Sequence, residues 1–265
     1  KYTHPDLVAN MWTNAAELNG AEGVDDDGNG YVDDIYGLNS IELNGNISWN
    51  NRRYDSEGNY TGDVGHGTHV AGIIAAVNNN GEGISSIAGG SGNGDGVRIM
   101  SVQIFQENTG VANTRIAAGI EYAADMGAAI LQCSWGMPVM WISDGGYENN
   151  TGKLYIEAIK YFVECSDNGV MDGGVAIFAA GNESLMYACY PGAYNEFISV
   201  TAIAADGLPT GYTNYHYGCN IAAPGGDYEY VDGVLNTYGA ILSTVPSENP
   251  DVYNNGKTTY GTDYA

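Results

Sequence analysis

Positive charge is scarce in this sequence. The 265 residues contain 8 Lys and Arg against 32 Asp and Glu, which gives a formal net charge of −24. Contacts to the phosphates of a nucleic acid require a basic patch, so this composition excludes nucleic-acid binding as the main function. High acidity instead suits solubility and the binding of divalent cations.

Long apolar runs and metal-binding cysteine patterns are also missing. No run of 18 apolar residues occurs, so the sequence predicts no transmembrane helix. None of the four cysteines has metal-ligand spacing. Cys133 lies in an apolar segment and is expected to be a buried thiol. Cys189 and Cys219 lie in loop-like segments and are either free thiols or, in an oxidising compartment, a disulfide.

Glycine is abundant, with 39 residues, and lysine is rare. Many tight loops and few lysines are typical of proteins exposed to proteases outside the cell. The expected location is therefore secreted, periplasmic or at the cell surface. The sequence does not indicate an oligomeric state.

A histidine between two glycines opens the most informative stretch. Gly65-His66-Gly67 is followed by small and apolar residues, which predicts a buried helix that begins near His66 and ends near Asn78. The flanking glycines allow a close approach of other groups to the backbone. The imidazole is a candidate general base, and the plainer alternative is a polar helix cap.

Apolar strands and helices alternate from residue 66 onward. Helices are predicted over 66–78, 113–127 and 151–168, and strands over 97–104, 128–134, 174–180, 197–204 and 240–245. Continuous apolar strands between helices indicate a three-layer α/β fold, in which a central, mostly parallel sheet carries helices on both faces. Ligands of such sheets bind at the carboxyl ends of the strands.

Residues 25–36 have the pattern of an EF-hand-type calcium loop. Oxygen-bearing residues alternate along it, and Gly30 stands at the position of the sharp turn. Tyr36 replaces the glutamate expected at position twelve, and Asp34 is a candidate substitute. The predicted ligands are Asp25, Asp27, Asn29, Tyr31 through its carbonyl, Asp33 and Asp34. The alternative is a solvated acidic loop without an ion.

Several segments resemble, in order along the chain, the motifs of the subtilisin-like serine proteases, or subtilases. HGTHVAG from His66 resembles the histidine motif, and AAGN ending at Asn182 resembles the motif whose asparagine donates a hydrogen bond to the oxyanion. Ser134-Trp135-Gly136 resembles the segment that pairs with the substrate backbone. HPDL at residues 4–7 and APG at 223–225 also resemble segments of this family. Acidic insertions like that of residues 25–34 occur in some bacterial subtilases.

The resemblance implies one subtilisin-like peptidase domain over residues 1–265, with residues 20–64 as the calcium loop and a surface insertion. It also implies a peptide or protein substrate, calcium as a cofactor and hydrolysis of peptide bonds. The catalytic positions would be His66 as general base and Asn182 as oxyanion donor. The substrate-binding positions would be Ser134, Trp135, Gly136, Thr109 and Gly110, which would form a β-strand pairing with the peptide. Taken alone, a Gly-Asn after a strand is more often just a turn.

The nucleophile motif departs from the family pattern. Gly261-Thr262-Asp263 stands where Gly-Thr-Ser is expected, so Asp263 occupies the serine position. A carboxylate is a poor nucleophile here because its acyl product would be an anhydride. The strand that carries the catalytic aspartate would precede residue 1, so the sequence is expected to be truncated at both ends.

With the catalytic aspartate absent and Asp263 at the serine position, residues 1–265 alone are expected to be inactive, and whether the protein is an enzyme stays open. The interpretations are part of a calcium-binding serine endopeptidase, a pseudoprotease that still binds peptides, and a calcium-stabilised structural or adhesion domain. A new acid/base chemistry of His66 with Asp263 is a further alternative.

Overall fold

The computed structural model describes residues 1–49, 65–105, 111–138, 143–227, 229–231, 234–236 and 239–246. The chain groups into two compact units. The first comprises Lys1–Gly119 and the segment from Leu242, and the second comprises Ile120–Ile241.

The first unit contains a short parallel pair of strands and the helix that begins at His66. Strand β1 (Gly37–Asn39) pairs with β2 (Ser101–Gln103) in the register Gly37↔Ser101. The α-helices are α1 (Ala15–Asn19) and α2 (His66–Ala75), preceded by a 3₁₀ turn at Val8–Asn10. Helix α3 (Asn113–Asp125) runs from this unit into the second.

The second unit is built on a parallel four-stranded sheet in the order β3-β4-β5-β6. Its strands are β3 (Ile130–Cys133), β4 (Val175–Ala179), β5 (Ile198–Ile203) and β6 (Ile221–Pro224). Helices α4 (Asp144–Tyr147) and α5 (Lys153–Cys165) are joined by a π-helical turn at Glu148–Gly152. Strands β7 (Glu229–Val231) and β8 (Val234–Asn236) form an antiparallel hairpin.

The core of the second unit lies between α5 and one face of the sheet. Along β4, Ala176 and Phe178 are buried and alternate with partly exposed residues, as the two-residue period of a strand requires. Helix α5 packs on β4 through its apolar stripe, which includes the fully buried Ile159 and Phe162. Burial of each such large side chain stabilises the fold by roughly 1.5–3 kcal/mol. This packing fixes the position of β4 and of the loop that follows it.

The structure confirms an α/β fold with parallel strands and helices, and it corrects several elements. The predicted strand at 240–245 is wrong, because residues 239–246 contain no strand beyond a single bridge at Thr244. The Ser243 and Thr244 hydroxyls instead bind backbone carbonyls of α2. Strand β1 lies in a segment predicted to be surface loop, and β6 was not predicted. No helix in the described ranges is both long and apolar enough to span a membrane.

Candidate active site

Helix α2 carries His66 as its first residue. Gly65 precedes it as the N-cap without a side-chain cap, and the His69 N–H donates to the Gly65 carbonyl at 2.9 Å. His66 is exposed, and a Cβ placed on Gly67 would meet no atom within 4 Å. The imidazole thus lies on the exposed first residue of a helix.

Two hydroxyl groups hold the segment after residue 242 against α2. Ser243 Oγ donates to the His69 carbonyl at 2.6 Å, and Thr244 Oγ1 donates to the Thr68 carbonyl at 2.8 Å. Both side chains lie over Gly72, where a Cβ would approach their oxygens to 2.4 Å or less. Gly72, the last residue of the HGTHVAG motif, is therefore needed for this close packing.

Asn182 lies in the turn that follows β4. Gly181 precedes it with a φ of +114°, a backbone conformation that side chains disfavour. Asn182 is exposed, and its backbone N–H donates to Glu183 Oε2 at 2.9 Å. A neutral amide at a strand end is a suitable donor to a developing oxyanion, because it supplies a fixed dipole without a competing charge.

Ser134, Trp135 and Gly136 lie directly after β3. Ser134 Oγ accepts a hydrogen bond from Gln132 Nε2 at 3.0 Å. The Trp135 ring packs on Phe178 with a centroid distance of 5.8 Å. A Cβ on Gly136 would lie 2.7 Å from Cys189 Cβ, so only glycine fits there.

One open cleft of about 300 Å³ lies at the carboxyl ends of these strands, within the second unit. Its lining includes Gln132, Ser134, Gly181, Asn182, Thr201 and Tyr212. The structure thus brings Ser134 and Asn182 to the same cleft, whereas Trp135 and Gly136 lie beside it. Thr109, Gly110 and Asp263 lie outside the described residues.

The acidic loop of the first unit brings Asp25 and Asp27 together with Glu17, a residue of α1. One carboxylate oxygen from each lies within 4.8 Å of the others. Glu17 is buried, and it accepts hydrogen bonds from the backbone N–H groups of Asp26, Asp27 and Asp33. Three convergent carboxylates form an oxygen-only donor set, which fits a hard cation such as Ca²⁺.

The remaining predicted ligands are arranged around this cluster. Asn29 Nδ2 donates to both Asp27 and Asp34 at 3.1 Å, and its Oδ1 accepts from the Tyr31 N–H at 2.8 Å. The Asp33 carboxylate accepts from the Gly23 N–H, and Asp34 is fully buried. The Tyr31 carbonyl stays a predicted ligand, as do Asn29, Asp33 and Asp34.

Comparison with known proteins identifies the family. The sequence profile of the Subtilase family, Peptidase_S8, matches residues 1–265. The chain belongs to the subtilase family. Halolysin of Haloferax mediterranei is 30% identical over 225 residues, which are 85% of this subtilase and 33% of halolysin. Subtilisin-like protease 1 of Plasmodium vivax is 49% identical over 90 residues, which are 34% of this chain and 12% of that protein.

The fold comparison agrees with the family. The crystal structure of the Aeromonas sobria serine protease in complex with its chaperone aligns with a TM-score of 0.63 at 17% identity, over 100% of this subtilase and 41% of that chain. This similarity confirms the subtilisin-like three-layer α/β fold. Each of these alignments spans less than half of the relative's own length.

The segment at residues 143–150, after β3, is part of the second unit and contributes to its core. Tyr147 is fully buried and stacks on Tyr190 with a centroid distance of 4.6 Å. Burial raises the pKa of both phenols above the usual range. Tyr147 therefore packs in the core of the second unit and does not line the cleft. Trp141 lies outside the described residues.

The sequence interpretation missed two residues, one in the acidic cluster of the first unit and one beside the Asn182 turn of the second unit. Glu17 precedes the acidic loop, and its position in the first turn after the helix N-cap Asn14 was the available signal. Asn14 Nδ2 donates to Asp27 at 2.8 Å and to Asp34 at 3.0 Å, which joins α1 to the loop. The second residue is Asn214, whose contacts with the Asn182 turn have no local sequence signal.

The described cysteines of this subtilase are free thiols. Cys133 is buried as predicted, and burial raises the pKa of its thiol to about 12. Cys189 and Cys219 both contact Asn214, through its Nδ2 at 3.5 Å and its carbonyl oxygen at 3.7 Å respectively.

Proposed function

We propose that the protein containing this chain is a subtilisin-type serine endopeptidase that hydrolyses peptide bonds in extended polypeptides. The observation that supports the proposal is the cleft at the carboxyl ends of β3 and β4, which Ser134 and Asn182 both line. An extended peptide would pair with the backbone of residues 134–136 and place its scissile carbonyl near Asn182.

The proposed chemistry divides between three positions. The His66 imidazole takes the proton of the nucleophile and returns it to the leaving amine. The Asn182 side-chain amide donates a hydrogen bond to the oxyanion of the tetrahedral intermediate. The nucleophile would be a serine hydroxyl at the Gly-Thr-Ser position, where this sequence has Asp263, so the endopeptidase requires a serine there in the full-length protein.

Asp263 favours a second candidate, a pseudoprotease that binds peptides without cleaving them. Both candidates share the cleft and Asn182, and they differ in whether the protein supplies a serine nucleophile. A serine-directed fluorophosphonate distinguishes them, because it reacts only with an activated hydroxyl.

The test uses the full-length protein, unaltered and as Asp263→Ser, with fluorophosphonate labelling and cleavage of a fluorogenic peptide. Labelling of the unaltered protein supports the endopeptidase. Labelling of Asp263→Ser alone supports the pseudoprotease with otherwise intact machinery. In whichever form is active, His66→Ala is expected to abolish labelling and Asn182→Ala to lower kcat about 10²- to 10³-fold. If neither form labels and neither binds the peptide, both candidates are wrong.

We also propose calcium as a structural cofactor and an extracellular or cell-surface location. The support for calcium is the cluster of Glu17, Asp25 and Asp27, and the acidic composition agrees with it. Extracellular calcium is abundant enough to fill even weak sites, with Kd values on the order of 10⁻⁴–10⁻³ M.

The calcium proposal is tested with Glu17→Gln and the matched control Glu22→Gln, an exposed glutamate of the same segment. At a calcium concentration of 100 Kd, binding is expected to stabilise the unaltered protein by about 2.7 kcal/mol. Glu17→Gln should lose most of this gain and Glu22→Gln should keep it, measured as unfolding midpoints with calcium and with chelator. Equal calcium gains in the two variants would show that Glu17 is not a ligand.

A further inference from the structure

Asn214 is a fully buried asparagine beside the turn that carries Asn182. Its side chain is 0% exposed, although a buried amide is costly unless its polar atoms are bonded. The side-chain oxygen accepts from the backbone N–H groups of Glu183 and Leu185, both at 3.0 Å. The side-chain nitrogen donates to the Ala180 carbonyl at 3.1 Å and to Glu183 Oε2 at 2.9 Å. Every hydrogen-bonding atom of the amide is therefore used within the turn.

These hydrogen bonds flank Asn182 on both sides. Ala180 precedes it by two residues and Leu185 follows it by three, and the Asn214 backbone N–H also donates to the Gly181 carbonyl at 3.2 Å. The Glu183 carboxylate links Asn214 to Asn182, because its Oε2 accepts hydrogen bonds from both Asn214 Nδ2 and the Asn182 backbone N–H, each at 2.9 Å. Asn214 thus defines the path of the backbone from which the Asn182 side chain projects.

The sequence around the turn makes room for this contact. A Cβ on Gly181 would lie 2.4 Å from Asn214 Nδ2, so the asparagine occupies the space that any other residue at 181 would need. Asn214 is in turn tied to the sheet, since its carbonyl accepts from Thr201 Oγ1 at 2.5 Å and Thr201 lies in β5. The Thr201 hydroxyl also contacts Thr213 Oγ1 at 2.6 Å. The turn is therefore fixed to a central strand rather than to another loop.

We infer that Asn214 is a positioning residue for the reaction, which holds Asn182 where it can donate to the oxyanion. The inference rests on the proposed peptidase function. It adds a residue 32 positions away in the sequence whose effect on catalysis passes through Asn182 alone. Displacement of a catalytic group by about 1 Å can lower a rate about 10²-fold, so a loosened turn is expected to lower kcat more than it changes KM.

The chain offers a matched control at the opposite end of β4. Asn168 clamps the loop before β4 in the same manner: its Nδ2 donates to the Gly173 carbonyl at 2.7 Å, and its Oδ1 accepts from the N–H groups of Val170 and Met171. Asn168→Ala removes the same chemical group from a loop with similar side-chain to backbone hydrogen bonds, none of which involves the Asn182 turn.

The kinetic test is a double-mutant cycle in the full-length protein, in whichever form hydrolyses peptide. Asn214→Ala should lower kcat about 10- to 100-fold with little change in KM, and Asn168→Ala should leave kcat unchanged. In the Asn182→Ala background, Asn214→Ala should cause no further loss, because the group it positions is gone. The same fold-loss of kcat in both backgrounds would overturn the inference. Asn214→Ser keeps a small polar side chain without adding a charge beside Glu183. It should lower kcat less than Asn214→Ala does, and it provides a second variant if Asn214→Ala folds poorly.

A measurement without catalysis separates this inference from the proposed function. In ¹⁵N-labelled full-length protein, Asn214→Ala should lower the backbone order parameter of Asn182 from about 0.85 to below about 0.6, and Asn168→Ala should leave it unchanged. If the unaltered protein and Asp263→Ser both fail to cleave peptide, the function proposal fails and the order parameter still decides the role of Asn214. An Asn182 order parameter that stays high in Asn214→Ala would overturn the inference.

Discussion

Gly181 is the residue at which the chain leaves β4 and enters the Asn182 turn. Its φ of +114° places the backbone in a region that a side chain rarely adopts. A Cβ there would approach Asn214 Nδ2 to 2.4 Å, Glu183 Oε2 to 2.5 Å and Cys189 Sγ to 2.6 Å. Both the conformation and the packing therefore require glycine at this position.

Gly181→Ala is expected to destabilise the protein by about 3 kcal/mol, since backbone strain and overpacking each cost roughly 1–3 kcal/mol. Gly207→Ala is the matched control, because Gly207 has a φ of +80° but no atom within 4 Å of its Cβ position. It should lose only the strain contribution, about 1 kcal/mol. Denaturant unfolding monitored by circular dichroism measures both. Equal losses would mean that the Asn214 contact tolerates a methyl group.

The positions of His66 at a helix start and of Asn182 after a strand could be predicted from contiguous motifs, whereas contacts between distant residues could not. His66 and Asn182 stand in short strings whose spacing is set by one helix start and one strand end. Asn214 reaches Glu183 across 31 positions, and nothing in the intervening residues indicates this contact. The loop pattern predicted a glutamate at its twelfth position, where the sequence has Tyr36. The glutamate that joins the cluster is Glu17, which lies in α1 outside the loop.

At the scale of elements, α2 depends on close packing against the segment at 243–244. Gly72 lies in the middle of the helix, where alanine would normally be preferred by about 1 kcal/mol. Here its Cβ would lie 2.3 Å from Thr244 Oγ1 and 2.4 Å from Ser243 Oγ. Both hydroxyl groups donate to helix carbonyls, so they cannot move aside without breaking those hydrogen bonds.

Gly72→Ala should therefore destabilise the protein by about 1–2 kcal/mol, because overpacking costs more than the gain in helix propensity. Gly67 lies in the same helix, and its Cβ position has no atom within 4 Å. Gly67→Ala should therefore leave the stability of the protein unchanged or raise it by up to about 1 kcal/mol. Thermal unfolding of the two variants gives the comparison. A gain in stability for Gly72→Ala would show that the 243–244 segment does not pack on α2.

The same segment shows why one predicted strand was wrong. Residues 240–245 have the apolar and β-branched composition of a strand, but their polar members face hydrogen-bond acceptors on α2 instead of a neighbouring strand. Helices and strands with a strong period, such as α5 and β4, were located within a few residues. In α5 the apolar stripe alone determines which face is buried.

At the scale of the whole molecule, the alternation of helices and strands was sufficient to predict the α/β class and the parallel sheet. The acidic composition predicted a cation partner but not the position of the carboxylates. Buried and exposed free thiols together test how readily the fold of the second unit opens to solvent. Cys133 and Cys189 are buried, whereas Cys165 is exposed.

Iodoacetamide at pH 8 should label Cys165 first and leave Cys133 and Cys189 unlabelled in the folded protein. Burial raises the pKa of both inner thiols to about 12, with the Glu183 carboxylate adding to the effect at Cys189. Only roughly 10⁻⁴ of such a thiol is thiolate at pH 8, and the thiolate is the reactive form.

Mass spectrometry of the labelled peptides over time gives the rates, and guanidinium-unfolded protein, in which all four cysteines should react alike, is the control. Labelling of Cys133 at the rate of Cys165 would show that the sheet opens readily. Failure of Cys189 and Cys219 to label even in guanidinium, until a reductant is added, would show that these two form the disulfide that the sequence left open. Labelling of both in guanidinium without reductant supports the free thiols, because unfolding removes the burial that protects them while leaving a disulfide intact.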